Sequence, residues 1–123
     1  MGIDEINVLT ERVIGCAMKV SNTLGAGFLE KVYENALLFE LQQNGLNAVA
    51  QQTLKVRYQG VVVGEYCADI VVNGCVLLEL KAAKAIDETH QAQLLNYLKA
   101  TGLKVGLILN FGTPRLGIKR MIL

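Results

Sequence analysis

The chain has 123 residues, 52% of them hydrophobic, and a formal net charge of +1. That length confines it to one domain, expected to span residues 1–123, and the apolar fraction excludes a disordered tail. The near-neutral charge excludes a strong general attraction to nucleic-acid backbones, and no apolar run approaches the roughly 18 residues of a membrane span. The acidic start, Met1-Gly2-Ile3-Asp4-Glu5, has no basic leader followed by an apolar stretch, so a cytoplasmic protein without a membrane partner is expected. Three cysteines (Cys16, Cys67, Cys75) with no C-x-x-C pair, and a single histidine, argue against a cysteine–histidine zinc site and predict reduced cysteines in the core.

The first third reads as helical. From Ile6 the apolar positions Leu9, Val13, Cys16, Ala17, Val20 and Leu24 recur at helical spacing until Gly25-Ala26-Gly27. A second helix is expected from Phe28 to Gln43, with Leu29, Val32, Tyr33, Ala36, Leu37, Phe39, Glu40 and Leu41 forming a wide face, closed by Asn44-Gly45. Strands follow at Val49–Tyr58, Val61–Val72 and Cys75–Leu80, with turns at Gln59-Gly60 and Asn73-Gly74. A third helix is expected over Asp87–Ala100, then a buried strand at Val105–Phe111, a break at Gly112-Thr113-Pro114 and a last strand at Ile118–Leu123. The order α-α-β-β-β-α-β-β predicts an α/β domain with one mixed central sheet flanked by helices. After Lys99 the chain carries Lys99, Lys104, Arg115, Lys119 and Arg120 and no acid, a modest basic region able to meet phosphates or simply to be solvated.

Chemistry concentrates on two of the strands. Asp69 interrupts the apolar run Ala68-Asp69-Ile70-Val71-Val72, and Glu79 and Lys81 interrupt Val76-Leu77-Leu78-Glu79-Leu80-Lys81. Strand side chains alternate, so Glu79 and Lys81 share a face opposite to Leu78 and Leu80. Charges set in such surroundings are costly unless paired or bound to a cation. Two carboxylates and an ammonium on one strip of sheet suit a hard divalent metal and an anionic substrate. Whether Asp69 joins that strip depends on the turn. A two-residue Asn73-Gly74 turn sets Asp69 opposite Leu78 and turns it away from Glu79. A three-residue Val72-Asn73-Gly74 loop, or an equivalent bulge, sets it opposite Leu77 and on the Glu79 face.

Asp69 followed by Glu79-x-Lys81 on a hairpin, between helices, resembles the PD-(D/E)xK nuclease superfamily. Gly27-Phe28-Leu29-Glu30-Lys31-Val32-Tyr33 is similar to the signature of the small bacterial GxxExxY proteins within it. Gln93-Leu94-Leu95-Asn96-Tyr97 resembles the Q-x-x-x-Y motif of its RecB-like branch, and Gly106–Gly112 (GLILNFG) resembles the end of the GxxExxY domain. The likeness covers residues 8 to 122; Ala68 stands where many members have proline. It implies a restriction-endonuclease-like core and a Mg²⁺- or Mn²⁺-dependent nuclease acting on DNA, less readily on RNA. Asp69 and Glu79 would then ligate the metal with the Leu80 carbonyl and waters, and Lys81 would orient the attacking water and offset phosphate charge. Glu30 and Glu34 lie four apart on one helical face. Glu34 stands eleven residues before Gly45, a spacing resembling the helix acid of resolvases, and is the expected metal-facing acid; Glu30, the acid of the signature, is the alternative. His90, Gln93 and Tyr97 share a helical stripe: Gln93 and Tyr97 are expected to bond Lys81, a metal water or phosphate, against packing for Tyr97 and a surface place for His90. The rival reading is a catalytically silent nuclease-like domain that binds nucleic acid or a protein. A domain this small invites a homodimer or a partner protein to hold substrate.

Overall fold

The computed structural model describes residues 2–123, and over these the chain forms helices α1 (Ile3–Leu24), α2 (Glu30–Gln43) and α3 (Glu88–Thr101). The strands are β1 (Ala48–Tyr58), β2 (Val61–Val72), β3 (Val76–Lys81), β4 (Val105–Asn110) and β5 (Gly117–Ile122). Their order along the chain is the expected one. They form one mixed sheet, β1-β2-β3-β4-β5, in which β3 and β4 run parallel across the α3 crossover and the other neighbours are antiparallel. Among the described residues no helix is long and apolar enough to cross a membrane.

The sheet is covered on both faces. α1 and α2 bring Leu9, Val13, Ala17, Tyr33, Leu37 and Leu41 onto Ile70, Val72, Leu78, Leu80, Leu107 and Leu109. On the other face, Leu94 and Leu98 of α3 pack on Ala68, Val71, Leu77 and Ile108. Burial on both sides explains why β3 and β4 read as continuous apolar runs rather than alternating ones. Apolar residues of α1 recur every three or four positions because a single stripe of that helix meets the sheet.

Three local expectations are corrected. The second helix starts at Glu30, not Phe28, because Gly25 and Gly27 take positive φ (72° and 116°) and Leu29 is an extended N-cap. Leu29, Val32 and Phe39 stand exposed rather than on the buried face. Of the cysteines, Cys16 is buried, Cys75 half-buried and Cys67 exposed. Tyr66 and Ala68 face α3, which leaves Cys67 on the side of the outer hairpin that no helix covers.

Tyr33 holds the α1–α2 loop in its shape. Its hydroxyl donates to the Gly25 carbonyl at 2.6 Å and accepts from the Phe28 amide at 3.1 Å, while its ring stacks on Phe111 at 4.8 Å. Tyr33→Phe keeps the stack and orphans both main-chain groups, so a loss of about 1–2 kcal/mol is expected in urea denaturation. An unchanged midpoint would show that water replaces the hydroxyl at no cost.

Candidate nuclease-like site

The site forms where β2 and β3 part. Their ladder runs from Val72↔Val76 to Ile70↔Leu78, and the same register sets Asp69 opposite Glu79. Beyond it the Asp69 side chain serves as partner: Oδ2 accepts from the Leu80 amide at 2.8 Å. A strand residue's N–H and C=O point to the same neighbour, so the Leu80 carbonyl also faces the Asp69 side. The register comes from Asn73-Gly74-Cys75. Asn73 and Gly74 take positive φ (52° and 63°), Cys75 N donates to Val72 O at 3.0 Å, and Cys75 is an extra residue before pairing starts at Val76. This loop differs from both alternatives drawn from the sequence. It keeps the parity of the three-residue solution, but shifted so that Asp69 meets Glu79 rather than Leu77.

Glu79 is the buried centre of the group. It is 8% exposed, and its Oε1 has no hydrogen-bond partner. Burial, then the nearby Asp69 charge, push its pKa up to about 8, against the opposing pull of Lys81 and the Asp69 amide. Asp69 is also shifted upward, by burial and Glu34, against the Leu80 amide, Lys81 and Lys31. The sign for stability follows from a folded pKa above the unfolded one. Protonated Glu79 stabilises the metal-free protein fully below about pH 4.5, and that contribution disappears as pH rises through about 8. In chelator, Glu79→Gln should therefore match the wild type near pH 5 and exceed it by a few kcal/mol at pH 9 in urea denaturation, on an order-of-magnitude scale. A pH-independent difference would contradict the assignment.

The remaining acids come from α2. Glu30 opens the helix; partial desolvation and Asp69 raise its pKa, with Glu34 adding to the rise and Lys81 and His90 opposing it. Glu34 is 4% exposed, and both its oxygens already have partners, the Lys31 ammonium and the Gln51 amide, the latter at 2.7 Å. Both helix acids thus approach Asp69, but Glu30 also bears on Glu79 and Lys81. Among the described residues no three or more His, Cys, Asp or Glu side chains stand together as a ready cage for an ion.

α3 supplies an aromatic wall. Tyr97 stacks on Tyr66 of β2 with ring centroids 3.5 Å apart, and Gln93 lies one turn earlier on α3. The Tyr66 hydroxyl is buried without a partner, and burial and the Glu79 charge raise the pKa of both phenols. Tyr66 was not anticipated; the available signal was its place three residues before Asp69 on the same strand. His90 closes a capping box instead: Asp87 Oδ1 accepts from its amide at 2.9 Å, and its Nδ1 accepts from Asp87 N at 3.3 Å.

Lys81 is held from beneath. Phe111 N donates to Lys81 O at 2.8 Å, and the buried Asn110 side chain accepts from the Ala83 amide and donates to the Ala83 carbonyl, each at 3.0 Å. The GLILNFG segment therefore clamps the loop that follows the lysine. In the basic region, Arg120 reaches Asn7 of α1, and Lys104 precedes β4 at the end of the sheet away from Lys81. An apolar groove between α1 and α2, lined by Val20, Leu24, Ala36 and Phe39, contains none of the candidate residues.

A family model described as the PD-(D/E)XK nuclease superfamily matches residues 7–121. The chain is also similar to the crystal structure of SSO0001, with a TM-score of 0.57 and 19% identity, over 75% of this chain and 48% of that one. It thus spans about half the length of that protein, and the likeness is one of fold. None of the curated proteins matches the chain. The mixed sheet with α1 and α2 on one face and α3 on the other is consistent with a restriction-endonuclease-like core.

Proposed function

We propose that this chain, which belongs to the PD-(D/E)XK nuclease superfamily, is a metal-dependent nuclease of the GxxExxY group that hydrolyses phosphodiester bonds in DNA. The observation carrying this reading is the register that sets Asp69 opposite Glu79, with a buried, unpartnered carboxyl oxygen and Lys81 two residues on. Four carboxylates (Glu30, Glu34, Asp69, Glu79) against Lys31 and Lys81 suit a cation, and the orphaned Oε1 of Glu79 is the kind of acceptor that a hard ion satisfies.

Asp69 and Glu79 would hold Mg²⁺ or Mn²⁺, with the Leu80 carbonyl, and with Glu34 or Glu30 as the helix acid, waters filling the remaining positions. Bound there, the ion supplies Lewis-acid polarisation of a phosphate oxygen and a lower pKa for water. Lys81 orients the attacking water and offsets charge on the phosphate, a role that needs its ammonium form. Gln93 and Tyr97 border the same space, where the amide and phenol can bond a phosphate oxygen or water. The GxxExxY assignment rests on what the signature does here: positive φ at Gly27, Glu30 opening α2 and Tyr33 tying the loop. Action in the cytoplasm, as a homodimer or with a protein partner, completes the proposal.

The test is incubation of chelator-stripped protein with single-stranded, duplex and branched DNA, and with RNA, with and without Mg²⁺ or Mn²⁺. Cleavage of DNA that requires the ion is expected. Binding of nucleic acid without cleavage of any substrate would replace the nuclease reading with that of a silent, nuclease-like binding domain.

A further inference from the structure

We infer that Gln51, on the edge strand β1, is a positioning residue that sets the places of both Asp69 and Glu34; the inference rests on the site proposed above. The β1–β2 hairpin does not keep one face throughout. Ala48, Ile70 and Val72 lie in the core beneath α1 and α2, whereas Leu54 and Ala68 pack beneath α3. Ala68 and Ile70 are two apart, and strict alternation would put them on the same face. The reversal falls at one rung. Pairing runs through Ala50↔Ile70 and Gln52↔Ala68 but is missing between them, where the register sets Gln51 opposite Asp69.

Gln51 has φ of 53°, in the left-handed region that a residue with a side chain rarely adopts within a strand. Such strain persists when surrounding structure holds it, and it clusters at functional sites. Here it has two consequences. The turn in the backbone frees Asp69 from a regular pleat, so that its carboxylate reaches the Leu80 amide across the opening sheet. It also directs the Gln51 amide to Glu34 Oε1, 2.7 Å away and seventeen residues earlier, while Lys31 takes the other oxygen. One residue thus fixes an acid on each side of it. Sequence alone gave no hint, because a polar residue at the start of an edge strand is unremarkable by pattern.

Two substitutions separate the roles. Gln51→Gly accepts the left-handed backbone and removes the amide. Relief of the backbone strain offsets part of the cost of leaving Glu34 Oε1 without its donor, so the variant should fold and keep the Leu80 amide protected from hydrogen exchange, yet bind Mn²⁺ about tenfold more weakly. Gln51→Asn, which tolerates the left-handed region and retains a shorter amide, should recover part of that affinity. Gln51→Val disfavours the turn, and Leu80 exchange in chelator should rise at least about tenfold while the Val71 and Leu77 amides stay protected. Wild-type Mn²⁺ affinity in Gln51→Gly overturns the role toward Glu34, and unchanged Leu80 protection in a folded Gln51→Val overturns the role toward Asp69. Should Gln51→Val not fold, faster Leu80 exchange in Gln51→Gly than in the wild type overturns the claim that the left-handed turn places Asp69. Absence of Mn²⁺ binding by the wild type would instead sink the proposed metal site, and the Leu80 measurement, made without metal, still decides the placement of Asp69.

Discussion

Asp69→Asn and Glu79→Gln should each lower ion-dependent DNA cleavage by roughly a thousandfold or more, the scale set by the several kcal/mol of charge stabilisation a bound divalent ion supplies. Both changes preserve size. Asp69→Asn can still offer an oxygen to the Leu80 amide, and Glu79→Gln removes a group whose ionisation burial opposes, so neither should unfold the protein. Lys81→Met should fall nearly as far in rate while leaving ion binding intact, because its ammonium acts on water and phosphate rather than on the ligand set. Steady-state cleavage with saturating Mn²⁺, alongside urea denaturation, checks this. Activity surviving in Asp69→Asn would remove the aspartate from the reaction.

The second large effect lies away from the acids. A Cβ added at Gly112 would stand 2.2 Å from the Ala83 carbonyl oxygen and 2.4 Å from its nitrogen. These are main-chain atoms in the loop after Lys81, held by the Asn110 side chain, so no rotamer change relieves the overlap. Gly112→Ala should cost about 3 kcal/mol or more, lowering Tm by roughly 10 °C, with cleavage lost as the loop that follows Lys81 moves and takes the lysine with it. Gly64→Ala, which meets nothing within 4 Å, is the control and should be close to neutral. Equal melting temperatures for the two variants would show that the Ala83 loop yields freely.

Much of the fold was readable because period and punctuation agreed along the chain. The stripe Leu9, Val13, Ala17, Val20 could only be one face of a helix, and the unbroken apolar run Val105–Leu109 suited a strand buried on both sides. The acids and lysine stood out for the opposite reason, as charges in apolar strands. What could not be read was geometry set by single backbone angles. Asn73-Gly74 announced a turn, but both registers read from it kept Cys75 in the strand, whereas the backbone angles of Asn73 and Gly74 place it in the loop and pairing starts at Val76. Phe28 and Leu29 looked helical by hydropathy, yet positive φ at Gly27 delayed α2 to Glu30. Gln51 was silent, since its contribution arises from an unfavourable conformation imposed by tertiary packing. The importance of Asn110 and Gly112 appeared in the sequence only as a motif; the overlap with Ala83 supplies its physical reason.

The most direct test is a calorimetric titration of Mn²⁺ into the chelator-stripped protein at pH 7, repeated in buffers of different ionisation enthalpy. With the Glu79 pKa at about 8, most molecules carry its proton at that pH, and a cation held there must displace it. One ion per chain with release of most of a proton is expected, and both signals should vanish in Glu79→Gln. Binding without proton release, or unchanged in that variant, would mean that the ion sits elsewhere and that the acids facing each other across β2 and β3 are not its site.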